Sequence, residues 1–546
     1  MRPEIDPTET SGRCESLWTA TAPRAPLDPL RGDLHVDVCI VGAGIAGLTT
    51  AYFAAREGLG VIVLDDGAIG SGETGRTTAH LTAALDDRYT TIERLHGAED
   101  ARLAATSHRT AIGVIEHIVG REGIACDFER VDGYLFSSPG RDPAELDEEL
   151  AAARRAGLDG VTRVPHAPID AFDTGPALRF PAQGQLHPLR YLSGLAAAIV
   201  ARGGRIHTGS HAARLERDTP LRVHLADGPV VTARAVVVAT NAPVFDLTTI
   251  HTKQAAYRSY VVVLPIPRGS VHPLLLWDTG GGHARPDPYH YVRIVRGEAT
   301  GRSPGHDLLV VGGEDHKTGQ DADAEGHYDA LEAWTRERFP VAGPAVHRWS
   351  GQILEPVDAL AHIGLDPGSN HPVYVATGDS GNGMTHGTIA GVLLTDLLVG
   401  RENPWERLYD PGRVTLGASG VYARENANVA GRYADWLRKG DVASLDDLAR
   451  GAGAILVRGL RRLAVYRDLE GGLHACSAVC PHLGCVVHWN GVESSWDCPC
   501  HGSRFDELGR VVNGPANRDL APATLDESAR AVVLPEGPIP ANPGAT

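Results

Sequence analysis

The stretch VDVCIVGAGIAGLTTAYFAAREGLGVIVLDD, from Val36 to Asp66, decides how the first part of this chain must fold. Val36, Val38, Ile40 and Val41 have the pattern of a strand that becomes fully buried. Gly42, Gly44 and Gly47 then mark a G-x-G-x-x-G turn, an alanine-rich helix follows up to Gly58, and a second strand, Val61 to Leu64, ends in Asp65. The glycines let a backbone approach a pyrophosphate, the helix N-terminus attracts its charge, and the acid reaches ribose hydroxyls. The glycines alone would be a weak signal. With strand, helix, second strand and acid in order, the segment predicts a dinucleotide-binding βαβ unit.

FAD and NAD share that fingerprint, so other segments must choose between them. Just after the second strand comes Gly70-Ser-Gly-Glu-Thr-Gly75-Arg76-Thr77-Thr78, a small polar loop that a plain dehydrogenase does not need and that suits contacts with pyrophosphate and flavin. Far downstream, VYVATGDSGNGMTHGTIAGVLLTDLLVG gives a strand from Val373 to Ala376 and a turn at Gly381, Asn382, Gly383 and Met384. A helix follows from about Thr385. A second helix N-terminus of this kind aims N–H groups at negative charge. Either loop alone reads equally well as a tight turn; the two together favour FAD.

Near the C-terminus stand two short boxes, Cys480-Pro-His482-Leu-Gly-Cys485 and Cys498-Pro-Cys500-His501-Gly-Ser503. A [2Fe–2S] cluster of mixed ligation takes two thiolates on one iron and two imidazoles on the other. Cys480 and Cys498 supply the first pair and His482 and His501 the second. Two cysteines and two histidines also satisfy tetrahedral zinc. The C-x-H and C-x-x-H spacing differs from the usual zinc ladders, however, and zinc leaves Cys485 and Cys500 unexplained. Cys14, Cys39, Cys126 and Cys476 read as ordinary free thiols.

The chain has 546 residues, long enough for about three to four packing units. With 68 acidic against 51 basic side chains its formal charge is −17, which argues against nucleic acid or an anionic membrane as partner and leaves room for a basic redox protein. Residues 1–33 show no apolar run like a signal peptide or anchor, so a cytoplasmic protein is expected. Candidate units are an extension over 1–33, an oxidoreductase region over 34–410, a linker over 411–443, a cluster domain over 444–535 and a solvated tail over 536–546. The linker carries a helical stretch around Asn426 to Arg438.

Several motifs carry a family resemblance over about Leu34 to Leu408. They are the βαβ start, His187 to Ser210, the strand ARAVVVATNA ending in Thr240-Asn-Ala, the turn Trp349-Ser-Gly-Gln352 and the loop before Thr385. In these the chain resembles the FAD-dependent oxidoreductases of the D-amino-acid oxidase and glycine oxidase superfamily. With its C-terminal boxes it looks like the bacterial flavin-Rieske fusion oxidoreductases. The resemblance implies an α/β Rossmann-type FAD domain interleaved with an α+β substrate domain, then an all-β Rieske domain. It also implies a disulfide between Cys485 and Cys500, as in respiratory Rieske proteins.

The implied activity is hydride transfer from an amine or amino-acid-like small molecule to flavin, with single electrons passing through the cluster. Candidate substrate residues are Tyr289, Tyr291 and Arg293, which share one face of an expected strand opposite His290. Arg293 could clamp a carboxylate or form a structural ion pair. Arg258 borders the substrate site in relatives, and Trp349 and Gln352 could line the flavin. His80 offers a covalent flavin link that no motif compels. Candidate strands in this region are Tyr260 to Leu264, Tyr289 to Val295 and Leu308 to Gly312. Two other readings remain: a flavin-Rieske electron carrier without an organic substrate, and flow from cluster to flavin. A Rieske oxygenase would need a mononuclear iron site; Asp287-x-x-His290 starts one, but no second histidine follows.

Overall fold

The computed structural model describes residues 12–22, 27–138, 140–245, 250–280, 289–297, 305–442, 444–525 and 532–533. Asp287, the tail from Glu536 and the first part of the extension lie outside the described residues.

Strand Leu34–Val41, buried from Val38 onward, pairs in parallel with Val61–Leu64 on one side and Val230–Val238 on the other. The sheet continues outward to Arg205–His207 beyond the second strand and to Val373–Thr377 beyond the third. Helix Ile45–Arg56 leaves the first strand through the glycine turn, and helix Gly383–Leu398 packs across it. Small residues set how close these helices come: a Cβ on Gly391 would stand 2.3 Å from Thr49 Cγ2, and one on Gly387 2.5 Å from Ile45 Cγ2. The two segments of the nucleotide-binding sheet are far apart in sequence because a second sheet is inserted between them. That sheet runs in the order His347–Pro356, Gln254–Pro267, His306–Lys317, His290–Val295, Leu275–Asp278, Glu129–Phe136, Ala177–Gln185 and His80–Leu81.

The expected strands belong to this second sheet, the middle one beginning at His290 rather than Tyr289 and the other two much longer than their apolar runs suggest. Gln254–Pro267 extends past Tyr260 to Leu264 because its partners on both sides hold it in register. The supposed turn at Trp349 to Gln352 is the middle of strand His347–Pro356, where cross-strand pairing with Arg258 to Val261 overrides the glycine.

From Ala452 the chain forms two antiparallel sheets, one built on Ala452–Arg458, Arg461–Arg467 and Leu473–Ser477, the other on His488–Asn490 through Val511–Asn513. The helix expected around Asn426 lies earlier, at Ser419–Arg432, and tightens to a 3₁₀ turn over Tyr433–Leu437. The tighter turn aims two side chains at the first cysteine box: Tyr433 donates to Leu483 O at 2.7 Å and Trp436 Nε1 to Gly484 O at 3.0 Å.

The C-terminal domain is docked on the rest through a buried ion cluster. Glu493 Oε1 lies 3.3 Å from both Arg76 and Arg258, and Ser350 donates to it at 2.5 Å. Burial pushes the Glu493 carboxyl up, but Arg76, Arg258 and Arg504 outweigh it and hold it down at about 2. No helix among the described residues is long and apolar enough to cross a membrane.

Candidate functional site

A cavity of about 300 Å³ opens at the C-terminal ends of the parallel strands, and Gly42, Gly44, Ile45 and Ala46 line it with the first turn of the glycine-motif helix. The backbone there is a cradle in which side chains do not fit: a Cβ on Gly42 would stand 2.4 Å from Ala239 O, and one on Gly47 1.9 Å from Gly42 O. Asp65 borders the same space, its carboxylate accepting from Ala43 N at 2.6 Å and Gly67 N at 2.8 Å. Thr77, Thr78, Thr240, Gly381, Asn382, Gly383 and Met384 reach the cavity from the other segments. Asn382 caps the helix Gly383–Leu398, and its buried Oδ1 has no hydrogen-bond partner among the described residues. An N–H-rich cradle with an orphaned acceptor at a second helix N-terminus fits a dinucleotide and its flavin.

The other end of the cavity is acidic and aromatic. Tyr289 donates to Asp86 Oδ1 at 2.9 Å, while Tyr291 and Ser259 share a 2.8 Å hydrogen bond beside Asp315. Burial pushes the Asp86 carboxyl up to about 6 and those of Asp315 and Asp379 up to about 7. Asp379 Oδ1 is buried with no hydrogen-bond partner among the described residues. Three buried carboxyls with raised affinity for protons thus share one cavity, and a cation beside them would favour their charged forms.

The two arginines expected to meet the substrate do not face this space. Arg258 is fully buried outside the cavity, paired with Glu493 and hydrogen-bonded to Ser350, because its side of the strand faces the C-terminal domain. Arg293 follows Tyr289 and Tyr291 on the same face. Its guanidinium stops short of the cavity, donating to the carbonyls of Thr78, Ala79 and Leu186 at 2.7–3.1 Å and lying over Trp18. It thereby holds the loop that presents Thr77 and Thr78. Arg76 borders the cavity but is occupied by Ser350 O, Glu493, and the carbonyls of Gly12 and Cys14. Trp349 is buried and donates to Arg76 O at 2.7 Å, whereas Gln352 does line the cavity. His290 points away, held between Asp278 and Glu314 at 2.8 and 3.1 Å. His80 lines the cavity, and burial keeps its imidazole neutral.

In the C-terminal boxes Cys485 and Cys500 are disulfide-bonded, and Cys480 and Cys498 are free thiols within hydrogen-bonding reach of each other. The rings of His482 and His501 lie 5.0 Å apart, and the buried Nδ1 of His501 has no hydrogen-bond partner among the described residues. Each free sulfur receives two backbone N–H groups, Cys480 from His482 and Leu483, Cys498 from Cys500 and His501. The Ser503 hydroxyl adds a further hydrogen bond to Cys480. Two sulfurs and two imidazoles converging in a shell of N–H donors fit a cluster that gains negative charge on reduction.

The two sites touch. A Cβ on Gly502, next to His501, would stand 3.0 Å from Gln352 Nε2, so Gln352 contacts both the cavity and the cluster loop. On the imidazole side, the buried His251 lies edge-on to His482 at 4.9 Å and 6.1 Å from His501, its Nε2 donating to Pro243 O. Neither His251 nor the acidic end was visible in sequence; Asp86-Asp87, just after the polar loop, was the one local hint.

A cradle for FAD joined to a cysteine-histidine cluster site defines a flavin and iron–sulfur oxidoreductase. The family model described as FAD dependent oxidoreductase matches residues 37–397 and that of the Rieske [2Fe-2S] domain residues 438–524. The chain belongs to the FAD dependent oxidoreductase family, carries a Rieske domain behind it, and has FAD and a [2Fe–2S] cluster as cofactors. It is 31% identical, over 94% of its length and 98% of the other's, to YhfW of Bacillus subtilis (strain 168), itself provisionally named a Rieske 2Fe-2S iron-sulfur protein. It is 29% identical, over 70% of its length and 89% of the other's, to gamma-glutamylputrescine oxidoreductase of Escherichia coli (strain K12). The fold resembles glycine oxidase from Geobacillus kaustophilus with a TM-score of 0.57 at 18% identity, over 70% of this chain and 99% of that one.

Proposed function

We propose that the protein oxidises a cationic amine at FAD and delivers the electrons to its Rieske cluster. The observation that carries this reading is the acidic, aromatic end of the cavity, where Asp86, Asp315 and Asp379 line the same space as Tyr289 and Tyr291 and both Arg293, the candidate carboxylate clamp, and Arg258 are turned away. A free amino acid would bring its carboxylate against these acids. An ammonium group would neutralise them, and its carbon chain would lie on the tyrosine rings. The name of the E. coli relative, an oxidoreductase of gamma-glutamylputrescine, agrees with an amine.

Bound FAD supplies a two-electron acceptor and the cluster a one-electron acceptor. The chain's own residues do the rest. The glycine cradle and Asn382 would hold the dinucleotide, Asp315 and Asp86 would orient the ammonium, and a substrate amine must reach neutrality before its carbon can give up hydride. Asp379, which lines the cavity and has a raised affinity for protons, would accept that proton. Gln352 forms the packed contact between the two sites, and His251 packs on the two imidazoles.

Anaerobic mixing with diamines, acylated diamines and neutral or anionic amino acids tests the reading. Flavin bleaching together with a rhombic Rieske resonance should appear with the cationic amines. Reduction by amino acids alone, or by a reduced ferredoxin and by no amine, would replace it with an amino-acid oxidase or a pure electron carrier.

A further inference from the structure

The nucleotide end of the FAD cavity is walled by the C-terminal domain. Residues Val511 to Gly514, Ala516 and Asn517 line the same space as Asp65 and Asp66, which follow the second strand of the βαβ unit. Specific bonds hold this wall down. Asn513 Nδ2 donates to Glu73 Oε1 at 2.8 Å, and Glu73 Oε2 accepts from Gln352 N at 2.6 Å. Asn517 Nδ2 donates to Ala212 O at 2.9 Å and Ala213 O at 3.0 Å, and its own carbonyl meets His211 Nε2 at 3.4 Å. His211 in turn reaches Asp66 at 3.3 Å. Between these anchors Gly514 lies so near the oxidoreductase domain that a Cβ would stand 3.0 Å from Val244 Cγ1.

The wall is also tied to the cluster. Ala516 N donates to Ser503 Oγ at 2.9 Å, and the Ser503 hydroxyl donates to Cys480. Two hydrogen bonds therefore connect a residue lining the FAD cavity with a cluster sulfur. Ser503 is itself fully buried, so no water competes for either bond.

We propose that segment 511–517 of the Rieske domain is a clasp that retains FAD by closing the adenosine and pyrophosphate end of its site, with Ser503 positioning the clasp from the cluster loop. FAD then leaves only when the clasp lifts. The inference rests on FAD lying in this cavity and is independent of the substrate class.

The test is the rate at which FAD leaves the full-length holoenzyme, followed as flavin passing an ultrafiltration membrane after dilution. Asn513→Ala with Asn517→Ala removes three donor contacts, and release should quicken about thirtyfold, with the Rieske resonance and the melting temperature retained. Unchanged release would overturn the clasp. Loss of the resonance together with FAD would also overturn it, in favour of general loosening of the domain. Should the double variant fail to fold, Asn517→Asp presents an acceptor to the Ala212 and Ala213 carbonyls in the same shape and should quicken release by itself; no change there overturns the proposal equally. For Ser503, alanine should quicken release about fivefold, on the order of one lost hydrogen bond, and threonine should restore it. Equal release from all three side chains would detach the clasp from the cluster.

Discussion

The cluster loops and the substrate end of the flavin cavity lie on opposite sides of Gln352 and are built on opposite electrostatics. Around Cys480 and Cys498 the chain folds its backbone N–H groups and the Ser503 hydroxyl inward. That shell is matched to negative charge which arrives with an electron. Around Tyr289 and Tyr291 it buries carboxyls and turns Arg258 and Arg293 elsewhere, an arrangement that the cationic substrate proposed above would complete. The first site is pre-organised by local turns that fix every donor. The second is paid for in raised carboxyl pKa values, so it is the one that pH and ligands should move.

The sharpest way to break the comparison is to remove parts of the rigid site. His482→Ala or His501→Ala should abolish the Rieske resonance outright. Cys485→Ser should leave the ligands in place and lower cluster retention only in part, because the disulfide chiefly restricts how the two loops can separate. Indistinguishable loss in all three, measured by iron content and paramagnetic resonance, would mean that the disulfide is as indispensable as the ligands. Next in size is the docking between the two regions. Glu493→Gln leaves Arg76 and Arg258 buried without their counter-charge, a cost of about 3–5 kcal/mol. Calorimetry should show a lower melting temperature; an unaltered transition would mean that the ion cluster does not hold the domains together.

The difference between the regions also explains how much could be read in advance. The proposed cluster ligands lie in two short boxes and the glycine cradle within one βαβ unit, so both are legible from residue type and interval, whereas the disulfide was legible only through the family resemblance. The acidic end is assembled from Asp86, Asp315 and Asp379, each on a different segment, and only the tertiary fold brings them to one cavity. Arg293 was plausible as a clamp because strand alternation gives a face but not what covers it, and Arg258 was plausible at the substrate site only through the family resemblance. For Arg258 the cover is a domain more than two hundred residues downstream in the sequence; for Arg293 it is the flavin loop itself. His251 was invisible for the same reason, since its neighbours His482 and His501 belong to that later domain.

A smaller effect sharpens the charge argument. Burial raises the Asp315 carboxyl to about 7 and the Asp86 carboxyl to about 6, so both lose charge as pH falls through that range. A quaternary diammonium ligand, whose own charge does not titrate, should bind more weakly at pH 5 than at pH 8. Asp315→Asn should weaken it at pH 8 by about tenfold, roughly 1.4 kcal/mol, and flatten the profile. Titration calorimetry giving the same affinity at both pH values would remove the carboxyls from the binding step.

The smallest expected effect tests the pre-organised shell itself. A hydrogen bond to a cluster thiolate is stronger in the more negative reduced state, so each donor raises the reduction potential. Ser503 is such a donor to Cys480 and stays in place through its bond from Ala516. Two residues on, where respiratory Rieske proteins have a tyrosine hydroxyl, stands Phe505, fully buried in the same core as both ligand cysteines. One donor of the respiratory set is therefore absent, and the potential should lie below the respiratory type. Ser503→Ala should lower it further, by about 40 mV for a differential of roughly 1 kcal/mol in a one-electron couple. Phe505→Tyr should raise it by a similar amount, because a hydroxyl introduced into that dry core has a sulfur as its natural acceptor and is costly if left unpaired. Protein-film voltammetry on the three proteins measures both shifts. An unchanged potential in Phe505→Tyr, with the fold intact, would show that residue 505 packs beside the cluster without addressing its sulfurs, leaving Ser503 and the backbone N–H groups as the whole of the shell.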